Sequence, residues 1–269
     1  MSVIATDGFR RIEMLRVGDD GVHAGSDVVV EEVAIALSYN GTGHAVMMAT
    51  ALDLEDFALG FSLHEGIVAA MEELRFIEAL PRDGGVVVEL AIPQTRFDSL
   101  MQRARHTLGS SACGLCGTAA MQQALRSMPR VAAASFDAAM IADALRQFPS
   151  LQSLNALTGG AHAAAWCDAG GVRLIREDVG RHNAFDKLAG ALARAGITAQ
   201  GGYAIVSSRA SYELVHKAAT AGIGCLVALS APTSAAIDGA TRCGMRLIGF
   251  ARDGSMNVYT SGSITECEQ

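Results

Sequence analysis

The chain has no surplus of positive charge: 21 lysines and arginines stand against 28 aspartates and glutamates, a formal charge of −7. Binding nucleic acid through a broad basic surface requires many phosphates to be neutralised, so that class of partner is excluded. An anionic ligand would need a local pocket. There is also no uncharged run of about 18 apolar residues, the length a membrane helix requires. The opening MSVIATDGFRRIEML carries no apolar stretch behind its charges and does not read as a secretion signal. The expectation is a soluble, cytoplasmic protein with no membrane partner. Repeats with periods of about 20–50 residues and low-complexity tracts are both missing, which excludes solenoids and disordered tails. Six cysteines in 269 residues do not make a disulfide framework, and without a secretion signal the expected compartment is reducing.

What is present is a chain half apolar, large enough for one sizeable core or two unequal lobes. Two β-rich runs, at 28–37 and 44–50, flank the turn-like Tyr39-Asn40-Gly41-Thr42-Gly43 and predict a hairpin. Asp53 is placed to cap a helix running to Gly66. Strands are expected at 74–80 and 85–92, then a polar helix over 94–106. A small-residue loop, 108–117, opens into a helical pattern that Pro129 terminates. After a helix from Asp137 to the Pro149 region, strands expected at 161–168, 171–177, 202–208, 224–230, 246–251 and 256–260 alternate with helices near 182–195, 210–221 and 233–243. That alternation predicts an α/β fold, with ligands at loops following the strands. The expected division is a β-rich N-terminal lobe at 1–106, a cysteine loop at 107–120 and an α/β domain at 121–269.

Cys167 and Cys225 lie in apolar runs as small hydrophobes, and Cys243 and Cys267 lack a pattern. Cys113 and Cys116 are different. A thiolate at a helix start is stabilised by the dipole and unpaired amides, and Gly114 and Gly117 leave room for a bulky partner. The plain alternative is two small residues in a tight loop. A zinc site would need a second half that is missing: there is no other Cys-x-x-Cys, and His44, His64, His106, His162 and His182 show no paired spacing. Zinc nucleobase deaminases use His-x-Glu with Pro-Cys-x-x-Cys, whereas His64 and Glu65 are adjacent and Ala112 stands in the proline place. No zinc is expected. A thioredoxin-like dithiol would sit early, in a compact βαβ unit. A sulfur carrier holding a persulfide has no such requirement, and spacing alone does not separate these last two.

Longer motifs carry a resemblance. Asp56 to Phe61 with Glu65-Gly66-Ile67, the segment around Cys113 and Cys116, Thr158-Gly159-Gly160-Ala161-His162, and Arg176-Glu177-Asp178-Val179-Gly180-Arg181-His182-Asn183-Ala184 resemble the FdhD/NarQ family. So do Ser208-Arg209-Ala210-Ser211 with Glu213, the residues 230–234, and Gly249-Phe250-Ala251-Arg252 with Asn257 to Thr260. The match spans nearly the whole chain. It implies a cytidine-deaminase-like mixed sheet with flanking helices, without the deaminase zinc. It also implies a sulfurtransferase that takes sulfur from a cysteine desulfurase and passes it to the bis(molybdopterin guanine dinucleotide) molybdenum or tungsten cofactor for formate dehydrogenase, working as a homodimer. By position Cys113 matches the persulfide-bearing cysteine and Cys116 its partner. Phe250, Ala251, Arg252, Asp253, Gly254 and Ser255 match the cofactor-binding segment. The alternative is a non-catalytic chaperone that binds and delivers the same cofactor. Departures are Leu115 for a common valine, Ser208 where glycine commonly precedes Arg209, and residues 62–64.

Arg209 follows an expected strand and precedes a helix, a place suited to phosphate, with Ser211 beside it. Asn257 is a candidate base or ribose contact. Arg176, Arg181, His182 and Lys187 could serve several phosphates in an acidic protein; equally, they could pair with Glu177, Asp178 and Asp186. His162 is read as packing near Trp166 rather than as a site residue.

Overall fold

The computed structural model describes residues 7–109, 128–133, 137–252 and 254–261. Cys113, Cys116, Asp253 and the helix expected after Gly117 lie outside the described residues.

Glu31 and Glu32 divide the apolar run at 28–37 between two sheets. Its first part closes β2 (Gly21–Val30), which pairs with β1 (Phe9–Gly18) in an antiparallel ribbon. Its second part is β3 (Val33–Tyr39), paired with β4 (Thr42–Ala49) through an Asn40-Gly41 turn with φ of 49° and 78°. Positive φ at both central residues is what a two-residue hairpin needs, and Asn-Gly supplies it cheaply. The expected hairpin therefore forms, but from residue 33 onward. The ribbon escapes a sequence reading because most of its residues are exposed, leaving no alternation of buried and exposed positions to detect. β5 (Phe76–Arg82) and β6 (Gly85–Ala91) complete a four-stranded sheet of order β4-β3-β6-β5. α1 (Leu54–His64) and α2 (Gln94–Gly109) join its core around Leu37, Phe57 and Val88.

Asp53 does occupy the cap position of α1, but with φ 51° and no side-chain bond to the helix. Its carboxylate instead lies 3.6 Å from the Arg176 guanidinium. A charged tertiary partner has displaced the local capping bond.

The second sheet has order β12-β11-β10-β9-β7-β8. Its strands are β7 (His162–Asp168), β8 (Gly171–Asp178), β9 (Tyr203–Val206), β10 (Cys225–Ala228), β11 (Arg246–Arg252) and β12 (Ser255–Ser261). Successive side chains face opposite sides, as strand geometry requires. Ala164, Trp166, Val206 and Leu226 pack under α5 (Arg181–Arg194), α6 (Tyr212–Thr220) and α7 (Ser234–Cys243). Ala165, Cys167, Ile205 and Val227 pack against α3 (Ala138–Gln147), whose first amides are capped by Asp137. A short α4 (Ser153–Thr158) precedes β7. This is the expected mixed α/β fold with a smaller β-rich part. Among the described residues no helix is long and apolar enough to cross a membrane.

The two sheets are joined where α1 lies along α5. A Cβ on Gly60 would fall 1.8 Å from the Asp186 carbonyl oxygen, and one on Gly190 would fall 1.9 Å from that of Asp56. Backbone cannot retreat like a flexible side chain, so both glycines are demanded by the close approach. Gly190→Ala is expected to destabilise the fold by about 1–3 kcal/mol, more than the roughly 1 kcal/mol alanine gains in helix propensity. Gly43→Ala is the control, since a Cβ there meets nothing within 4 Å. Equal denaturation midpoints for the two variants would refute the reading.

Ion pairs flank that contact. Asp56 accepts from Arg176 at 2.7 Å and Arg194 at 2.9 Å. Lys187 and Asp178, both fully buried, meet at 2.7 Å, and both also bond the backbone of Thr50. Lys187 thus meets Asp178, one of the partners the pairing alternative named, whereas Arg176 pairs with none of them and takes Asp53 and Asp56 instead.

Candidate functional site

β8 and β9 both run antiparallel to β7, and β9, β10 and β11 run parallel to one another. The carboxyl ends of these four strands therefore share one edge, where a parallel α/β arrangement presents ligands. α5, α6 and α7 all begin there, so their first amide N–H groups and positive dipole ends face the same rim. The loops are tied together: Thr233 donates its amide to Ala210 at 3.0 Å, and Phe250 donates to Ser230 at 3.1 Å.

Arg209 projects from the loop after β9, is exposed, and forms no ion pair among the described residues. Ser211 caps α6, its hydroxyl accepting from the Leu214 amide at 3.4 Å. Thr233 caps α7 in the same way, accepting from Ala236 at 3.2 Å. Further along the edge, Ala251, Arg252, Gly254 and Ser255 line a cavity of about 370 Å³ with Leu145 and Arg146 of α3. Phe250 does not line it. That residue holds φ at 51°, in the left-handed region that a bulky aromatic rarely adopts, beside a register shift between β11 and β12. Asn257 sits opposite Gly249 on β12 with its side chain exposed. Arg209 and Ser211 follow β9, two strands from the β11 wall of that cavity, about 10 Å at ordinary strand spacing, with Leu229 at the end of β10 lining it on the nearer side. The edge thus holds two separated groups, on a scale suited to an extended ligand rather than a single phosphate.

Around the start of β7 and of α5 lies a cluster whose histidines and arginine were weighed in sequence separately but not grouped, and to which Ser207 and Glu213 are added. The Ser207 hydroxyl accepts from the Ala163 amide at 2.9 Å and lies 3.3 Å from His162 Nδ1. Burial, followed by the positive charge of Arg181, holds the His162 pKa below its ordinary value. The Arg181 Nε is itself buried without a hydrogen-bond partner among the described residues. His182 Nε2 lies 3.2 Å from Glu213 without hydrogen-bond geometry. Burial lowers the His182 pKa, against the pull of Glu213 and with help from Arg181. The signal for this cluster was positional: His162 starts β7 at the edge where β9 ends.

His44, His64, His162 and His182 are all depressed below the usual 6.5, burial being the largest cause in each. Depressed histidine pKa values mean that the folded state favours the neutral ring. Their contribution to stability is complete above pH 6.5 and is lost as pH falls through the lower folded values. The thermal midpoint is expected to drop between about pH 7 and pH 5, and a flat profile there would contradict this.

The model of the FdhD/NarQ family matches residues 30–264. The chain belongs to that family. A sulfur carrier protein FdhD from Bordetella petrii is 47% identical over 248 residues, covering 91% of this chain and 89% of its own length. Its namesake from Xanthomonas euvesicatoria pv. vesicatoria is 50% identical over 236 residues, covering 87% and 84%. The crystal structure of a candidate formate dehydrogenase accessory protein from Desulfotalea psychrophila is similar with a TM-score of 0.76 at 21% identity. It covers 94% of this chain and 97% of that one, and shares the fold. The FdhD/NarQ match includes the cysteine pair and the whole sheet edge described above.

Proposed function

We propose that this chain is a sulfur carrier and sulfurtransferase, which moves a persulfide sulfur from a cysteine desulfurase to the bis(molybdopterin guanine dinucleotide) cofactor that formate dehydrogenase requires. The observation carrying this reading is identity of about half, along most of the chain, to proteins named sulfur carrier protein FdhD. Arg209 and the cavity lined by Ala251, Arg252, Gly254 and Ser255 lie apart along one sheet edge, which supports an extended cargo.

The Cys113 thiolate attacks the outer sulfur of the donor persulfide. The donor S–S bond breaks, a new one forms on Cys113, and the donor cysteine leaves as thiolate with no net oxidation. Delivery as sulfide takes two electrons. Cys116 supplies them by attacking the inner sulfur on Cys113, which forms the Cys113–Cys116 disulfide and releases hydrosulfide to the molybdenum or tungsten of the cargo. A cellular thiol then reduces the pair.

Mass spectrometry after incubation with a cysteine desulfurase and free cysteine should find one added sulfur on Cys113. Finding none on either cysteine would end the reading. With guanosine diphosphate as a probe of the cargo, Arg209→Ala should weaken binding about 10-fold or more, as loss of a charge-assisted hydrogen bond does. An unchanged Kd would remove Arg209 from the site.

A further inference from the structure

The four-stranded sheet buries one face. Ile35, Leu37, Val86 and Val88 belong to the core it shares with α1 and α2. Strand side chains alternate between faces, so the residues between these point the other way. On that outer face Val46, Ala36, Val87 and Leu80 form one row across β4, β3, β6 and β5, and Met48 with Ala34 lies beside it. None of these residues belongs to a core cluster, and Val46 and Met48 are 66% and 51% exposed. An apolar sheet face is ordinarily packed against another layer.

The charges on the same face are not settled within one chain. Glu78 on β5 stands directly opposite Glu89 on β6. Like charges directly opposite each other weaken a sheet, and neither carboxylate has a counterion among the described residues. Arg82 shares their face, donates only to the neighbouring Pro81 carbonyl and has no acidic partner among the described residues. Four residues, about 13 Å along the strand, keep Glu78 and Arg82 from meeting. Their placement is nevertheless symmetric, with Leu80 two residues from each. A two-fold axis running across the strands through the Leu80 row would lay that row on itself. It would also set Glu78 of each copy against Arg82 of the other. Sheets stacked face to face lie about 10 Å apart, a gap that an extended glutamate and arginine can bridge together.

We propose that this face joins two copies of the chain. The apolar row meets its own copy, and two Glu78–Arg82 pairs, each beside a Glu89, fix the register. Such a contact is isologous: each residue meets on the partner what the partner's copy meets in return. The resemblance implied two copies and no surface; strand register and charge supply the surface here, independently of sulfur transfer. Four strands of seven or eight residues give a footprint of about 19 by 23 Å, small for a stable interface, so a dissociation constant in the micromolar range is expected.

Sedimentation velocity of the full chain, at concentrations reaching about 100 μM, should show a monomer–dimer equilibrium. Glu78→Arg sets arginine against arginine at both pairs, and Arg82→Glu sets glutamate against glutamate. Each variant is expected to weaken self-association at least about 10-fold. Mixed together, the two variants bring opposite charges back to both pairs, and a heterodimer of about the original affinity should form. A folding defect gives no such rescue, and Glu78→Arg in addition removes the like-charge pair with Glu89. A chain that stays monomeric at the highest concentration, single variants that associate as the unaltered protein does, or a mixture that stays monomeric would each overturn the proposal.

Discussion

Lys187→Met is expected to destabilise the protein by about 3–5 kcal/mol, the range for breaking a buried ion pair from one side. For a chain of this length that corresponds to a fall of roughly 10 °C or more in thermal midpoint. The cost comes from what remains. Asp178 is fully buried and, beyond Lys187, accepts from the amides of Thr50 and Gly180 and from Asn183, so it would keep its charge with its counterion gone. Thr50 would also lose the donor to its carbonyl. Adding Asp178→Asn to Lys187→Met should recover part of the loss, because a neutral amide retains an acceptor oxygen without the charge. The same experiment separates structure from cargo binding. A phosphate contact at Lys187 would lower guanosine diphosphate affinity while barely moving stability, and that pattern would reverse the assignment. Denaturant titration of the single and double variants, beside a guanosine diphosphate titration, reads both quantities.

Lys187 also marks the limit of what its neighbourhood in sequence could reveal. Four positive or potentially positive side chains within twelve residues looked like a phosphate cluster, and only the fold brings Asp56 to Arg176, 120 residues away in the chain. Buried pairing across long separations leaves no local trace. The strands of the second sheet were legible because β7, β9, β10 and β11 are apolar stretches set off by turn residues, and because Ser211 and Thr233 stand at true helix caps. β1 and β2 were not, since strands exposed along most of their length owe their existence to pairing rather than to burial. Asp53 had the right residue type at the right position, yet Arg176 took its carboxylate. Placement of Arg209, Ala251, Arg252, Gly254 and Ser255 on one edge followed from the expectation that ligands sit where strands end. The division of that edge into two groups, and the His162–Ser207–Arg181 cluster, depended on strand order. Alternation of strands and helices leaves that order unspecified.

Cys113→Ala should leave formate dehydrogenase at background activity when it is the only copy of the protein in the cell, whereas Cys116→Ala should fail at a different step. In the proposed mechanism loss of the Cys113 thiolate removes the group that accepts sulfur, so desulfurase and cysteine would add no persulfide to the variant. Cys116→Ala should still accept sulfur and should accumulate it, because in the proposed mechanism the two electrons needed to release sulfide come from the second thiol. Persulfide occupancy on Cys113 would then rise above that of the unaltered protein while dehydrogenase activity falls. These opposite readings separate carrier from chaperone. A chaperone that only binds and delivers the guanine dinucleotide cofactor would keep dehydrogenase active in both variants and bind guanosine diphosphate as before. A dithiol reductase would lose activity equally in both, with no persulfide in either. The decisive measurement is sulfur on Cys113 by mass spectrometry, in parallel with formate-dependent dye reduction in the same cells. An active dehydrogenase with Cys113→Ala would exclude sulfur transfer by that residue. Depressed dehydrogenase without persulfide accumulation in Cys116→Ala would keep Cys113 as carrier and take from Cys116 the role of releasing the sulfur.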